Sequence, residues 1–341
     1  MRITPDALLC SALIVASLLA ASCGDDDDYA PSDSGEFARV PTVVTTVSPI
    51  TNIVENIAGD RIRLVGIVPE GVNSHTFEPA PSDAEILSDA DIIFVNGLQL
   101  EEPTVDLAED VKKDDTEIIS LGDQTITPED YQFDFSFPED GGAPNPHLWP
   151  NVPFGIRYAE IIRDSLVDLD PVNADYYEDN AAAYIARLEE LDAAVKEAVQ
   201  TIPEENRKLL TYHDSYAYFA LETGFEVIGA VQPSDFGEPS ASEVADLIDQ
   251  IESEGVTAVF GSEEFPSDVL EQIASESGAD YIDELRDDDL PGEPGDPEHS
   301  YIGLILRNMR IMIPALGGNV DALEGIEEAN LIEGTGAEYP Q

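Results

Sequence analysis

The sequence predicts an α/β protein made of two parallel-sheet lobes joined by one long connecting helix. Short β-branched or apolar runs alternate with helical patterns over residues 42–121 and again over residues 207–285. This alternation is typical of parallel sheets that helices cover on both faces. Because ligands of such sheets bind beyond the carboxyl ends of the strands, the sequence also predicts a ligand site in the cleft between the lobes.

Residues 1–22 are predicted to be a signal peptide. Arg2 precedes a largely apolar run at residues 7–21, which is too short for a comfortable membrane span. The small residues "AAS" stand directly before Cys23. This arrangement resembles a bacterial lipobox, in which cleavage leaves a lipid-modified cysteine at the new N-terminus. The alternative is an ordinary secretory signal with an incidental cysteine.

Residues 23–40 are expected to be the lipidated cysteine followed by an acidic, disordered tether, because they show no apolar period. A charged tether repels itself and would hold the folded part away from the membrane. The other cysteine, Cys10, lies within the signal peptide, so no intrachain disulfide can form in the mature chain. Acylation of Cys23 would also exclude a cysteine nucleophile.

The remaining chain divides into two lobes, a helix between them and a tail. The predicted ranges are 41–170 for the N-terminal lobe, 171–203 for the linking helix, 204–330 for the C-terminal lobe and 331–341 for the tail. Strands are predicted at 42–48, 61–68, 91–96, 116–121, 207–213, 225–231, 256–261 and 279–285, and first-lobe helices at 50–58 and 81–89. Ser240 and Glu243 form a capping box that predicts a helix start.

The linking helix is predicted from apolar residues that recur at steps of three and four. These residues are Tyr177, Ala181, Tyr184, Leu188, Leu191, Val195, Val199 and Ile202. Pro171 suits the start of such a helix and Pro203 its end. About 30 residues at a rise of 1.5 Å would span roughly 45 Å, which is longer than one lobe requires. The pattern therefore favours a rod between two lobes over a simple surface helix.

The charge balance limits the possible partners. The chain has 15 basic and 72 acidic residues and a formal net charge of −57. A chain of this charge repels nucleic acid and anionic lipid surfaces, so neither is an expected partner, and it attracts cations. The acidity by itself indicates no more than high solubility or adaptation to high salt.

Three of the four histidines lie where side chains can face a cleft. His75 follows a predicted strand within a polar loop, His147 lies in the proline-bracketed loop "NPHLWPNV", and His213 ends a predicted strand. Any one of them could be an ordinary loop histidine. Asp283, at the end of the strand-like "ADYID", is one acid among 72. Together, three imidazoles and one carboxylate would suit a four-coordinate divalent metal.

Seven segments of the chain, in order, resemble the zinc- and manganese-binding receptor lipoproteins of bacterial metal ABC importers. They are "GVNSHTFEPAPSD", "NGLQLEE", "NPHLWPNV", "YYEDNAAAYIARLEELD", "TYHDSYAYFALETGFEVIG", "EPSASEVADLIDQI" and "YIGLILRNMRIM". The resemblance covers about residues 42–318. It implies that His75 and His147 are first-lobe metal ligands and that His213 and Asp283 are second-lobe ligands. It also implies an anchored, monomeric receptor outside the membrane that delivers its ion to an ABC permease and catalyses no reaction.

The chain departs from the family pattern in ways that bear on the metal. Some members carry glutamate at the position of His213 and favour manganese, whereas a third imidazole favours zinc, with manganese as the alternative. The loop 122–146 has no histidines and is acidic, and His299 stands where the pattern requires none.

A zinc hydrolase on the same ligands is a rival interpretation, but four protein ligands would leave no open position and the chain has no HExxH-type motif. An adhesion role has no independent support in the sequence.

Overall fold

The computed structural model describes residues 39–262, 267–332 and 336–339. The predicted signal peptide, the predicted lipidation at Cys23 and nearly all of the predicted tether lie outside the described residues. The described strands are β1 (Thr42–Thr45), β2 (Arg63–Gly66), β3 (Ile92–Val95), β4 (Glu117–Ser120), β5 (Lys208–Thr211), β6 (Glu226–Ala230), β7 (Ala258–Ser262) and β8 (Asp280–Leu285). The α-helices are α1 (Ser48–Ala58), α2 (Pro81–Asp89), α3 (Glu102–Val111), α4 (Leu121–Thr125), α5 (Val152–Leu169), α6 (Ala174–Val199), α7 (Ala217–Thr223), α8 (Ala241–Glu254), α9 (Asp268–Ser277) and α10 (Tyr301–Ala315).

The first lobe is built on a parallel sheet with the strand order β2-β1-β3-β4. Every residue of the central strands β1 and β3 is buried. Continuous runs of Val and Ile suit this position, because a parallel sheet between two helix layers has no solvent face. The strands therefore form where the sequence predicts them, although each is shorter than its apolar run.

The second lobe repeats this topology with the order β6-β5-β7-β8, and again all pairs are parallel. The register is irregular between Leu209 and Leu210 in β5 and between Phe260 and Ser262 in β7. The capping box predicted at the start of α8 is present, since Ser240 and Glu243 exchange hydrogen bonds. The prediction of two α/β lobes is confirmed.

The helix α6 has 26 residues and follows a 3-10 turn at Pro171–Asn173 within the predicted linking segment. The apolar residues that predicted it are buried along one face. They belong to a core cluster that continues from Phe94 of the first sheet to Phe260 of the second. Because this core is close-packed and continuous across α6, we expect the two lobes to move little against each other.

The end of the predicted tail packs onto the first lobe. Glu338 forms a parallel bridge to Val65, with its backbone N–H donating to the carbonyl of Leu64. The ring of Tyr339 lies against Gly66, where any side chain would collide with it. The tail therefore adds one more extended segment at the outer edge of the first sheet.

Candidate metal centre

Three histidines from both lobes meet in the cleft. His75 lies in the loop between β2 and α2, His147 in the loop between α4 and α5, and His213 two residues beyond the end of β5. His147 and His213 are buried, and His75 keeps partial exposure. The chain brings them together because both sheets direct the carboxyl ends of their strands toward the same cleft.

The Nε2 atoms of the three rings face one another. The distances are 3.1 Å from His75 to His147, 3.3 Å from His75 to His213 and 2.9 Å from His147 to His213. In a tetrahedral zinc site with Zn–N distances of about 2.0–2.1 Å, ligand nitrogens are separated by about 3.4 Å. The three atoms therefore form nearly the face of a coordination tetrahedron.

Two side-chain amides fix the tautomers of two rings. Nδ1 of His147 lies 2.8 Å from Oδ1 of Asn145, which also accepts the backbone N–H of His147. Nδ1 of His213 lies 2.7 Å from Oε1 of Gln232. An amide oxygen can only accept, so each Nδ1 carries the proton and each Nε2 presents its lone pair to the cleft. This is the support that metal-binding histidines normally have.

The first-lobe imidazoles are neutral at physiological pH. Burial lowers the pKa of His75 and of His147 well below 6.5, and the adjacent imidazole of His213 lowers both further. A metal ion needs the neutral ring, because a proton and the metal compete for the same lone pair. The site is thus prepared for a cation without first having to lose protons from these two rings.

A pair of acids supports the amide behind His147. Asn145 donates to both Asp134 and the backbone carbonyl of Asp214. Burial raises the pKa of Asp134 to about 9, and the neighbouring charge of Asp214 also raises it. Burial raises the pKa of Asp214 as well, which favours protonation within this pair and limits the negative charge beneath the site.

The structure does not bring Asp283 to the three histidines. This residue is exposed in the middle of β8, and the strand continues to Leu285, two residues beyond the strand-like "ADYID". The carboxyl end of the strand, which is the part that faces the cleft, therefore comes later in the chain. His299 also lies apart from the group, 3.6 Å from Glu70 and with Nδ1 near the carbonyl of Pro291.

A buried acid that the sequence reasoning missed, Asp288, lies three residues after the end of β8. Its Oδ2 accepts a hydrogen bond of 2.6 Å from the hydroxyl of Ser74, the neighbour of His75. Its Oδ1 is buried and has no partner among the described residues. Burial raises the pKa of Asp288, and the nearby His213 opposes this. The signal in the sequence was "RDDDL", three consecutive acids just after a predicted strand, two of which flank this one.

Aromatic rings cover the exposed side of the cluster. The ring of Phe137 lies 5.6 Å from the rings of His75 and His147. The ring of Phe236 stacks on His75, with centroids 4.5 Å apart and an angle of 19° between the planes. Apolar rings therefore lie directly against two of the three imidazoles.

Two lobes of matching topology, a long helix between them and an enclosed cluster of imidazoles in the cleft define a solute-binding protein for a small cation. The model of the family described as "Zinc-uptake complex component A periplasmic" matches residues 43–315. The chain belongs to this family.

Similar proteins agree with this assignment. The manganese-binding lipoprotein MntA of Halalkalibacterium halodurans is 32% identical over 305 residues, which are 89% of this chain and 96% of that protein. The iron-binding protein YfeA of Yersinia pestis is 33% identical over 289 residues, which are 84% of this chain and 88% of that protein. The periplasmic zinc-binding protein TroA from Treponema pallidum superposes with a TM-score of 0.73 at 29% identity, covering 81% of this chain and 99% of that one.

These findings confirm the predicted family and fold. The family and the relatives are solute-binding proteins and not enzymes, which confirms the prediction that the chain catalyses no reaction. Among the described residues, no helix is both long enough and apolar enough to cross a bilayer.

Proposed function

We propose that the chain is an extracytoplasmic solute-binding lipoprotein that captures one divalent transition metal ion and delivers it to an ABC permease. The observation that carries the proposal is the convergence of three Nε2 atoms within 2.9–3.3 Å of one another. Lone pairs this close repel one another unless a cation or a proton lies between them. Two of the three are turned inward by amide acceptors, so the arrangement serves a cation.

Asp288 completes the ligand set in this proposal, in place of Asp283. Its Oδ1 is a buried acceptor without a partner, and such an atom costs free energy unless something binds it. The ligand nitrogens of the three histidines all lie within 4.8 Å of one another, and Asp288 is outside this group. Its carboxylate would therefore move toward the ion on binding. The hydroxyl of Ser74, held on Oδ2, would orient the carboxylate for that movement.

Zinc is the favoured ion and manganese the alternative. The relatives' names include manganese, iron and zinc, so the donor atoms of this chain must decide. Zinc readily accepts three imidazoles and one carboxylate in a tetrahedron. Manganese prefers oxygen donors and binds most weakly in the first-row order.

The cellular setting follows from the relatives and from the N-terminal segment. Relatives named as lipoproteins of metal ABC transporters support a lipid anchor at Cys23, a position outside the cytoplasmic membrane and a permease as partner. The one group of possible metal ligands found among the described residues lies between two lobes of the same chain, which supports a monomer. A mature protein that is wholly soluble and carries an unmodified Cys23 would contradict the anchor.

Competition titration of zinc and manganese against the purified protein tests the function. Wild type should bind one ion per chain and prefer zinc. His213→Glu exchanges one nitrogen for an oxygen and adds a negative charge, so the ratio of zinc to manganese affinity should fall without loss of the site. A wild type that prefers manganese would overturn the choice of metal, and a wild type that binds neither would overturn the function.

A further inference from the structure

Phe236 has a backbone conformation that a phenylalanine rarely adopts. It lies in the turn 233–237 between β6 and α8 with φ = 55°, in the left-handed region that favours glycine. Its backbone N–H donates to the carbonyl of Pro233, which closes the turn. Such strain persists only where the surrounding structure compensates for it, and it is found most often at functional sites.

The compensation lies in the contact of the ring with a metal ligand of the other lobe. The strained turn places the ring of Phe236 flat against His75, at 4.5 Å between centroids. Phe137 is tilted against the same imidazole at 5.6 Å. Offset stacking of this kind is favourable beyond the burial of area alone. A second-lobe side chain therefore fixes the plane of a first-lobe imidazole.

His75 depends on this contact more than the other two histidines do. Asn145 and Gln232 accept the Nδ1 protons of His147 and His213. No residue within 39–262, 267–332 or 336–339 makes a hydrogen bond to Nδ1 of His75; its ring contacts are Phe137, Phe236 and the other two imidazoles. The stacked ring of Phe236 thus orients the imidazole of His75, as hydrogen bonds at Nδ1 orient the other two imidazoles.

Gln232 connects the turn to the other side of the site. Its Oε1 accepts from Nδ1 of His213 at 2.7 Å, and its Nε2 donates to the backbone carbonyl of Phe236 at 3.5 Å. One glutamine therefore orients the second-lobe ligand and holds the turn that orients the first-lobe ligand. Opening the cleft to release an ion must separate Phe236 from His75 and disturb this connection.

We propose that Phe236 is a positioning residue for His75 and that the turn 233–237 acts as a latch between the lobes that sets the rate of metal release. This inference rests on the proposed function. Loss of the ring leaves His75 free to turn away from the ion, which lowers the barrier to dissociation. The ion enters through the same opening, but loss of the stack chiefly destabilises the bound arrangement of His75, so release should change by a larger factor than association.

The test measures the rate at which zinc passes from the loaded full-length mature protein to an excess of chelator. Phe236→Ala should accelerate release by about 3- to 10-fold, the factor that corresponds to one aromatic stack. Phe236→Tyr keeps the stack and should release zinc at the wild-type rate. Phe133→Ala is the matched control, because this phenylalanine is 38% exposed and its ring contact is with Tyr131.

A glycine variant separates the ring from the backbone strain. Phe236→Gly removes both, so it should release zinc as fast as Phe236→Ala while its metal-free form is at least as heat-stable as wild type. Wild-type release rates in both the alanine and glycine variants would overturn the inference, as would acceleration in the alanine variant alone. An association rate that rises by a larger factor than the release rate would also contradict it. Failure of the wild type to bind zinc would instead count against the proposed function.

Discussion

The two lobes share one topology but use its equivalent loops for different chemistry. In both sheets the first strand is second in order, flanked by the second and third strands, so β2 corresponds to β6 and β4 to β8. The loop after β2 carries His75, and the loop after β6 carries Phe236, the ring that stacks on it. The chain after β4 leads to His147, and the chain after β8 leads to Asp288. A symmetric frame thus supports an asymmetric ligand set.

Each lobe also extends a loop onto the other. The first-lobe loop at 131–137 is held by the second lobe, where Ser136 bonds to Asp214 and to the carbonyl of Gln232. The second-lobe loop at 287–289 is held by the first lobe, where Trp149 donates to the carbonyl of Asp287. The site is therefore formed by loops that each lobe extends onto the other. Such an exchange of loops agrees with lobes that move little against each other.

The largest expected effect concerns which acid the second lobe contributes. Asp288→Asn should weaken zinc binding by more than about 100-fold, because even partners that only support ligands are worth 10- to 100-fold. Asp283→Asn is the matched control, since this acid is exposed on β8, and it should bind zinc as wild type does. Isothermal titration of both variants decides the matter. The opposite pattern would restore Asp283 as the ligand and break the correspondence between the loops after β4 and β8.

The sequence located the three histidines of the site, whereas the comparison of Asp283 with Asp288 depends on the structure. The strand ends near His75 and His213 were located well enough to place both residues in the cleft. Asp283 was predicted at the end of the strand-like "ADYID", whereas β8 continues to Leu285, so Asp283 is an exposed strand residue and the chain beyond the strand leads to Asp288. Phe236 gave no signal, because a left-handed backbone conformation at a phenylalanine arises from tertiary contacts and not from local preference.

Substitution of the amides that accept from the imidazoles should have the next largest effect on zinc affinity. One amide supports a first-lobe histidine and the other a second-lobe histidine, so the two variants compare the lobes. Asn145→Ala and Gln232→Ala each remove one Nδ1 acceptor and should weaken zinc binding by about 10- to 100-fold. Asn145→Ala should also lower the melting temperature, since it leaves the Asp134 pair without its donor. Gln250→Ala, in the same lobe as Gln232 but bonded to the carbonyl of Ile228, serves as the control. Unchanged zinc affinity in Gln232→Ala would show that tautomer control is not needed.

The pH dependence of zinc affinity is a further test of the first lobe. His75 and His147 both have a pKa well below 6.5, chiefly through burial, so neither takes up a proton as the pH falls to 6.5. Protons therefore compete with zinc less than they would at unperturbed imidazoles, and zinc affinity should fall by less than about tenfold between pH 7.5 and 6.5. A fall of 100-fold or more over this interval would show that two or three rings titrate together.

The same two histidines determine the direction in which the stability of the metal-free protein changes with pH. Their pKa values are lower in the folded chain than the unfolded value of about 6.5, so the unfolded chain binds protons first on acidification. Stability is therefore lost as the pH falls below about 6.5, by up to about 1.4 kcal/mol per pH unit for each histidine. Urea unfolding of the metal-free wild type and His75→Ala at pH 7.5 and 5.5 measures this, and the variant should lose less stability on acidification.

The smallest expected effect belongs to the one remaining histidine. His299 lies beside Glu70 and outside the three-histidine group. His299→Ala should change zinc affinity by less than about twofold, as expected for a side chain away from the ion. Zinc titration of His147→Ala, which removes a proposed ligand, provides the comparison. Loss of binding in His299→Ala with binding retained in His147→Ala would mean that the ligand set is wrong.

Anomalous diffraction at the zinc edge from crystals of the zinc-loaded protein tests the central claim most directly. We expect one strong peak in the cleft, about 2.0–2.1 Å from Nε2 of His75, His147 and His213, with Oδ1 of Asp288 moved to within about 2.0–2.2 Å of it. Occupancy of that position would show that both lobes hold a single ion. A single peak bound by residues of only one lobe, or a peak at Asp283 or His299, would contradict it.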